Sequence, residues 1–430
     1  MSGIGLSYEQ APPFGVPLLF FLAAPAYLLL TALLALAAQA DWLAGRWMPA
    51  SLALTHLVTL GFLGMVMLGA VLQMLPVVLG RPVPWVRSLG WLGVLGVGLG
   101  TPALAFGLWR ADAAWLYAAM ALLPLGLAPL LAGVGAALAR APGEPWLVWP
   151  TRFAWLALAA TVLLGLALAG ALAGLWGLPD LARLTDLHVA WGLGGWIGLL
   201  VLGFAYQVVP MLQLTPGYPA WATRWLAWLV LVGLLGFGLA ETAWPGTGGV
   251  ALLPALAGGL AFAGLTLDLQ RRRRRRIGDA TLDFWRLGMG MLATSLLGVA
   301  AMPWLPEAVV TSLGIAFLLG FAASVVEGML YKIVPFLAWF HLQAQRPKGG
   351  PIPNMKQLLP EAAARRHFRL HLAALPPLLA APLLAALPAT AFLAPWLARL
   401  GALALAASAW VLWRNLAGVG RMFRAHGGRF

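Results

Sequence analysis

A ten-residue signature occurs three times in this chain, late in a long apolar segment each time: GAVLQMLPVV from Gly69, GFAYQVVPML from Gly203 and GMLYKIVPFL from Gly328. All three fit Gly-x-x-x-(Gln/Lys)-x-x-Pro, which puts Gln73, Gln207 and Lys332 at one equivalent position and Pro76, Pro210 and Pro335 at another. The signatures start 134 and 125 residues apart. That period is too long for a solenoid unit and leaves room for about four spans of roughly 20 apolar residues with short loops. The chain is therefore expected to form three four-helix pseudo-repeats, over residues 13–137, 153–267 and 284–417, within a single transmembrane domain spanning 1–430.

Composition leaves no room for a water-soluble alternative. Hydrophobic residues make up 62% of the 430 and charged residues only 9%, far short of the polar surface that a soluble domain needs. Twelve apolar stretches start near Pro13, Ser51, Ser88, Ala113, Phe153, Leu187, Arg224, Val250, Phe284, Val309, Leu370 and Phe392. Each is long enough to cross a hydrocarbon core of roughly 30 Å as a helix. Alternation with a turn about every ten residues, the mark of a β-barrel, is absent. Helices are then the spans that satisfy their own backbone in lipid, and the fold class is an all-α polytopic membrane protein. The first stretch is too long, and its flank too poorly charged, for a cleaved signal peptide.

Topology follows from the 27 basic residues. Twenty-two of them lie on the side reached after even-numbered spans, among them Arg81, Arg140, the run Arg271 to Arg276, Arg346, Lys348, Lys356, Arg365, Arg366, Arg369 and Arg424. Only Arg46, Arg110 and Arg183 lie on the other side, and Lys332 and Arg399 fall within spans. This bias places both termini in the cytoplasm of a bacterial-type inner membrane. The six-arginine run is expected to meet anionic lipids, and the net charge of +14 is absorbed by such anchoring, with no nucleic acid implied. With no cysteine there is no disulfide framework, thiolate metal site or covalently attached c-type haem. The segment 342–368, with Pro347, Gly349, Gly350, Pro351, Pro353 and Pro360, reads as a cytoplasmic loop with a short surface helix near Leu358 to Arg366. His341, His367, His371 and His426 are expected at the cytoplasmic interface.

Any chemistry must come from polar groups held at membrane depth, where ionisable side chains are costly and face a bundle interior or cavity. The candidates are His56, Gln73, His188, Gln207, Glu241, Glu327, Tyr331, Lys332 and Arg399. Glu241 and Arg399 lie near the outer ends of spans seven and twelve; Arg399 either snorkels to the headgroups or meets an anionic group such as a haem propionate. His56 enters span two and His188 span six from the periplasmic side. Each either ligates a b-type haem, with Gly61, Gly64, Gly192, Gly194 and Gly195 leaving room for a porphyrin, or donates a hydrogen bond to a neighbouring helix. Counted back from the repeat prolines the two histidines differ by two residues, which at about 100° per residue points them to nearly opposite faces. The third repeat has Leu313 and Ile315 there.

Each repeat proline frees a backbone carbonyl, which Gln73, Gln207 or Lys332 either satisfies as a packing device or complements by lining a path at the seam of the repeats. The third copy is chemically distinct. Glu327, Tyr331 and Lys332 fall within about one and a half turns, where Glu and Lys either neutralise each other or form part of a proton or anion path.

With twelve spans in three four-helix arcs, the signature helix second in each arc and a periplasm-side histidine on span two, the chain resembles subunit I of the haem-copper oxidase and nitric oxide reductase superfamily. It is also similar to the twelve-span nitric-oxide-response membrane haem proteins grouped near it. The resemblance implies that His56 corresponds to a low-spin haem ligand and His188 to a span-six metal ligand. It also shows a degenerate member. Span seven lacks the family's His-His pair and span ten its His-x-His, so no copper centre and no oxygen or nitric oxide reduction are expected. A bound haem b would be five-coordinate through His56 or carry an unorthodox second ligand.

Two functional classes remain. One is a non-catalytic haem protein for sensing or electron transfer, or an accessory subunit of a respiratory or denitrification assembly, using His56, His188 and Arg399. The other is a permease for protons or a small solute, using Gln73, Gln207, Glu327, Tyr331 and Lys332. No Ser/His/Asp set, phosphate loop or paired catalytic carboxylates appear in the exposed segments, so the chain is not expected to be an enzyme.

Overall fold

The computed structural model describes residues 11–275, 277–345 and 351–430, the side chain of Val78 apart. Arg276, Arg346 and Lys348 of the basic count, and Pro347, Gly349 and Gly350 of the expected loop, lie outside the described residues. Among the described residues twelve helices are long and apolar enough to cross a membrane: α1 Gly15–Ala37, α2 Pro49–Val77, α3 Val86–Arg110, α4 Ala113–Ala139, α5 Pro145–Leu172, α6 Leu181–Gln213, α7 Ala220–Ala243, α8 Leu253–Arg271, α9 Ala280–Trp304, α10 Glu307–Ala344, α11 Glu361–Ala385 and α12 Ala391–Ala425.

Capping chemistry sets several starts. Asp112 accepts from the backbone N–H of Ala114 at 2.9 Å and Asp180 from that of Arg183 at 2.9 Å, so each carboxylate satisfies an orphan donor of a first turn. Proline precedes or opens α2, α5 and α11, where its fixed φ suits the first turn and its missing N–H costs nothing.

Three helices begin well before the apolar runs that announced them: α5 at Pro145 instead of Phe153, α6 at Leu181 instead of Leu187, and α11 at Glu361 instead of Leu370. Their first turns carry Arg152, Arg183 and the Arg365, Arg366, Arg369 group, which lower hydropathy without opposing helix. The expected 342–368 loop is accordingly shorter. Its start lies in α10 and its end in α11, with a short helix, Met355–Leu358, between them.

The second helix of each four-helix repeat carries a π-helical segment at an equivalent place: Leu57–Gly64 in α2, Ala190–Gly198 in α6 and Ala316–Ala323 in α10. Such segments are rare and widen the turn. Their effect shows in the packing of each repeat's second helix on its first. A Cβ on Gly69, Gly203 or Gly328 would lie 2.8 Å from the Cβ of Phe20, Pro150 or Phe284 respectively. Eight residues earlier, Gly61, Gly195 and Gly320 are blocked in the same way by Tyr27, Ala157 and Met291, each seven residues later on the first helix. Eight residues of the second helix thus cover the rise of seven on its straight α partner, and the extra residue is what the π segment accommodates.

The chain divides into two compact units that do not follow the repeat boundaries. One comprises residues 72–275 and 292–304. Within it α3 and α4 meet along a glycine seam, where Gly96 faces Gly126 backbone to backbone and Gly100 and Gly107 receive Leu123 and Leu116, the close approach that small residues permit in lipid. The other comprises residues 12–71, 277–291 and 305–430. In it α11 packs on α12 where Gly401 admits Leu378, and Phe14 at the start of α1 stacks edge-on against Phe423 of α12 at 4.9 Å.

Gly69→Ala, Gly203→Ala and Gly328→Ala should each lower the thermal midpoint in detergent, at an overpacking cost of about 1–3 kcal/mol. Gly264→Ala, where nothing lies within 4 Å, should leave it unchanged or raise it. Equal behaviour of all four variants would show that the repeat glycines are not packing contacts.

Candidate functional site

Beyond its π segment, α10 presents Ser324, Glu327 and Tyr331 at i, i+3 and i+7, one stripe of a helix. His367 and His371, at i and i+4 on α11, face that stripe. Glu327 and His367 are 0% exposed and His371 1%, so a carboxylate and two imidazoles are enclosed together. Nδ1 of His371 lies 2.9 Å from Oε2 of Glu327, and Nε2 of His367 lies 3.6 Å from the same oxygen.

The Ser324 hydroxyl lies 2.8 Å from Nε2 of His371 and 3.3 Å from the carbonyl of Leu319; when it donates to the imidazole, Nδ1 carries the ring hydrogen and faces Glu327, and when it donates to the carbonyl, Nε2 carries it. In the second arrangement Nδ1 meets Glu327 only if a further proton is present, on the imidazole or on the carboxyl. The ring is turned off the hydrogen-bonding line, and neither oxygen of Glu327 nor either nitrogen of His367 has a hydrogen-bond partner among the described residues. Buried polar groups in that condition are costly. A group that can gain or lose a proton relieves the cost.

Aromatic rings wall the cluster. The Phe284 ring of α9 lies 5.3 Å from His367, 5.5 Å from His371 and 6.3 Å from Tyr331, and Tyr331 lies 5.5 Å from His367. Phe284 reaches this place because Gly328 has no side chain, and Thr281 fastens the same approach by donating to the Gly328 carbonyl at 2.9 Å. Asn415 of α12 donates to the Tyr331 hydroxyl at 2.9 Å and to the Ala363 carbonyl at 3.3 Å.

Next to the cluster, at the start of α9 and α11, lies a charged ring. Lys332 pairs with Asp279 at 2.9 Å, with side chains 27% and 9% exposed, while the other oxygen of Asp279 accepts from the backbone N–H of Leu282 at 3.1 Å. Arg365 contacts Asp283 at 3.3 Å and Glu361 at 3.1 Å, and Glu361 accepts from the N–H of Ala280 at 2.8 Å. Lys332 thus pairs with Asp279, and Glu327 meets His371, in place of the Glu327–Lys332 neutralisation that their spacing allows.

His367 and His371, expected at the cytoplasmic interface, have their side chains enclosed by protein. Both are enclosed within α11, and His341 is also buried, stacked on Phe14 at 5.7 Å; His426 alone of the four is exposed. The arginines around His367 concealed it by making the segment read as loop, although the His-x-x-x-His spacing in line with Ala364, Ala374, Leu375 and Leu378 marks the buried face of a helix.

The other candidates are dispersed. In the unit that contains the cluster, Nδ1 of His56 lies 2.7 Å from the Leu52 carbonyl and must carry the hydrogen, leaving the lone pair on Nε2. That tautomer suits axial ligation, but the slot expected beside it is filled: Gly61 receives the Tyr27 ring. A porphyrin laid against Gly61 does not fit. In the other unit His188 donates from Nδ1 to the Thr161 carbonyl at 3.0 Å, and Gly192 and Gly195 face Thr161 and Ala157, which is helix packing again. Gln73 is buried and its Oε1 lacks a partner among the described residues; Gln207 is half-buried, with Nε2 4.0 Å from the sulfur of Met211. Arg399 is exposed and lies over the Trp396 ring, and Glu241 is half-buried at the end of α7. Among the described residues no group of three or more His, Cys, Asp or Glu is arranged to hold a metal ion.

No family profile matches this sequence, and no curated protein does. A solved structure is similar in fold: the cryo-EM structure of a haem-copper terminal oxidase dimer, with a TM-score of 0.60 and 14% identity over 96% of this chain and 84% of that one. At that identity the likeness concerns the fold alone. The chain is an all-α membrane protein of twelve apolar helices with the haem-copper oxidase subunit I-like fold.

Proposed function

We propose that the chain is a proton-coupled membrane protein, a permease for protons or for a small solute moved with them, built on an oxidase-type scaffold. The carrying observation is the enclosed contact between Glu327 and His371, a carboxyl and an imidazole 2.9 Å apart, both shut off from solvent, with neither oxygen of Glu327 hydrogen-bonded among the described residues. Ionisable groups at membrane depth mark proton and ion paths. Glu327 serves as the proton acceptor, His371 shares its proton, His367 completes the enclosure, and Ser324 hydrogen-bonds Nε2 of His371. The chain resides in a bacterial-type cytoplasmic membrane with both termini inside, its arginine run on anionic lipid, and it is free to join a larger membrane assembly.

In proteoliposomes holding a pH-sensitive dye, Glu327→Gln should slow proton uptake by about tenfold or more, equivalent to ~1.4 kcal/mol on the barrier. Uptake at the wild-type rate by folded Glu327→Gln protein would remove the proposal.

A haem reading has one observation in its favour, the His56 tautomer, and the filled glycine slot against it. Protein purified after expression with ample haem is expected to show no Soret band that depends on His56. A band present in the wild type and lost in His56→Ala would overturn that expectation and return His56, His188 and Arg399 to consideration as haem contacts.

Because the chain has no cysteine, single introduced cysteines report topology. Met355→Cys should be labelled by an impermeant reagent from the cytoplasmic side only and Trp176→Cys from the periplasmic side only; both residues are exposed. The reverse pattern would invert the orientation.

A further inference from the structure

The Glu327 centre has polar continuity in one direction along the helices that form it. Towards the α10 C-terminus and the α11 N-terminus it is followed by Tyr331, then by the Lys332–Asp279 and Arg365–Asp283 pairs, with exposure rising from 0% at Glu327 to 27% at Lys332. In the opposite direction α10 offers the apolar run Ala316–Ala323 before its next polar side chain, Ser312, whose hydroxyl reaches the Leu379 carbonyl at 2.9 Å, and α11 has no polar side chain between His371 and Ala385. On α12 a single buried hydroxyl, Ser408, lies seven residues beyond Asn415.

The titratable and charged groups on the surrounding elements are accounted for. On α9 and the residue before it they are Asp279, Asp283 and Arg286; on α11, Glu361, Arg365, Arg366, His367, Arg369 and His371. Arg399, Arg414, Arg421 and Arg424 lie on α12, and Lys356, on the short helix Met355–Leu358, is exposed. His56, on the packed α2, sits at the repeat position of Ile315. That is twelve residues, or roughly 18 Å of helix, from Glu327.

The repeat supplies a second, independent line. The positions equivalent to Lys332 hold Gln73 and Gln207, and those equivalent to Asp279 hold Gly15 and Pro145. At these two equivalent positions it is the repeat with the enclosed carboxylate that carries opposite charges. A packing device common to the three helices would not need that charge.

Resting on the proton-coupled reading, we propose that the Asp279–Lys332 pair controls the access path by which protons reach Glu327, and that this path opens at the membrane face where α11 begins. A hydronium ion outside gives one proton to the Glu327–His371 pair and remains as water. Asp279 draws the incoming cation and Lys332 opposes it, so their balance sets the rate of delivery.

The two members of the pair can be separated without dismantling the helices. Asp279→Asn keeps a good N-cap for α9, and Lys332→Gln restores the residue that the other two repeats carry. The readout is the carboxyl infrared band that Glu327→Gln abolishes, followed in time after a pH jump on one face of vesicles oriented by labelling Met355→Cys. Asp279→Asn should slow the appearance of the band by about tenfold, and Lys332→Gln should leave it unslowed or faster. The wild-type band should respond promptly only to a jump at the face where α11 begins.

A band that follows the opposite face, or two variants that change in the same direction, would overturn the access path and leave the proton-coupled reading standing. The absence of any band sensitive to Glu327→Gln would remove both.

Discussion

Close approach between the first and second helices of each repeat is the contact on which the rest of the molecule depends. Lipid offers no hydrophobic gain from joining two apolar helices, so the association rests on van der Waals packing, which small residues bring to full strength. Gly69, Gly203 and Gly328 meet Phe20, Pro150 and Phe284 at the same distance in all three repeats, and the second glycine of each helix meets its partner one π segment away. The π segment follows from this register. Two glycines eight residues apart are matched to contacts seven residues apart, and a straight α-helix would rotate one of them off the seam. The local irregularity and the sequence repeat are one feature seen at two scales.

That constraint also explains where chemistry can sit. The residue at Gly328 must be small, so the Phe284 ring lies over the stripe that follows it, and the stripe in the third repeat carries Glu327 and Tyr331. The same backbone geometry in the first repeat presents Leu68 and Leu72 there, and in the second Leu202 and Tyr206. One scaffold position is therefore apolar twice and ionisable once. The carboxylate did not require a new fold, only an imidazole pair on the neighbouring α11 and an aromatic wall that the glycine contact had already brought close.

The twelve spans and the threefold repeat were legible in the sequence because hydropathy and a recurring ten-residue signature report them directly. The role of the signature was less legible. Two of the glycines read as room for a porphyrin, Gly61 and Gly195, hold Tyr27 and Ala157, because a glycine in a membrane helix admits whatever lies opposite, and sequence does not say what that is. Glu327, Tyr331 and Lys332 were recognisable as ionisable or polar residues at depth, but their partners were not. Asp279 lies 53 residues from Lys332, and His371 lies on a helix whose first turns are so rich in arginine that hydropathy placed its start nine residues too late.

Those arginines have a structural reason to be where they are. A helix that delivers two histidines to a buried carboxylate must begin in water and descend, and its exposed first turns need groups that bind the ends of neighbouring helices. Glu361 caps α9 from outside, and Arg365 ties Asp283 and the Gly278 carbonyl to the same turn. The charged ring therefore fixes the depth and rotation of α11, and with them the distance from His371 to Glu327. The enclosed proton site and the exposed ion pairs are two ends of one helix placement. A change in the charge of that ring would be felt at a carboxylate that touches none of its members.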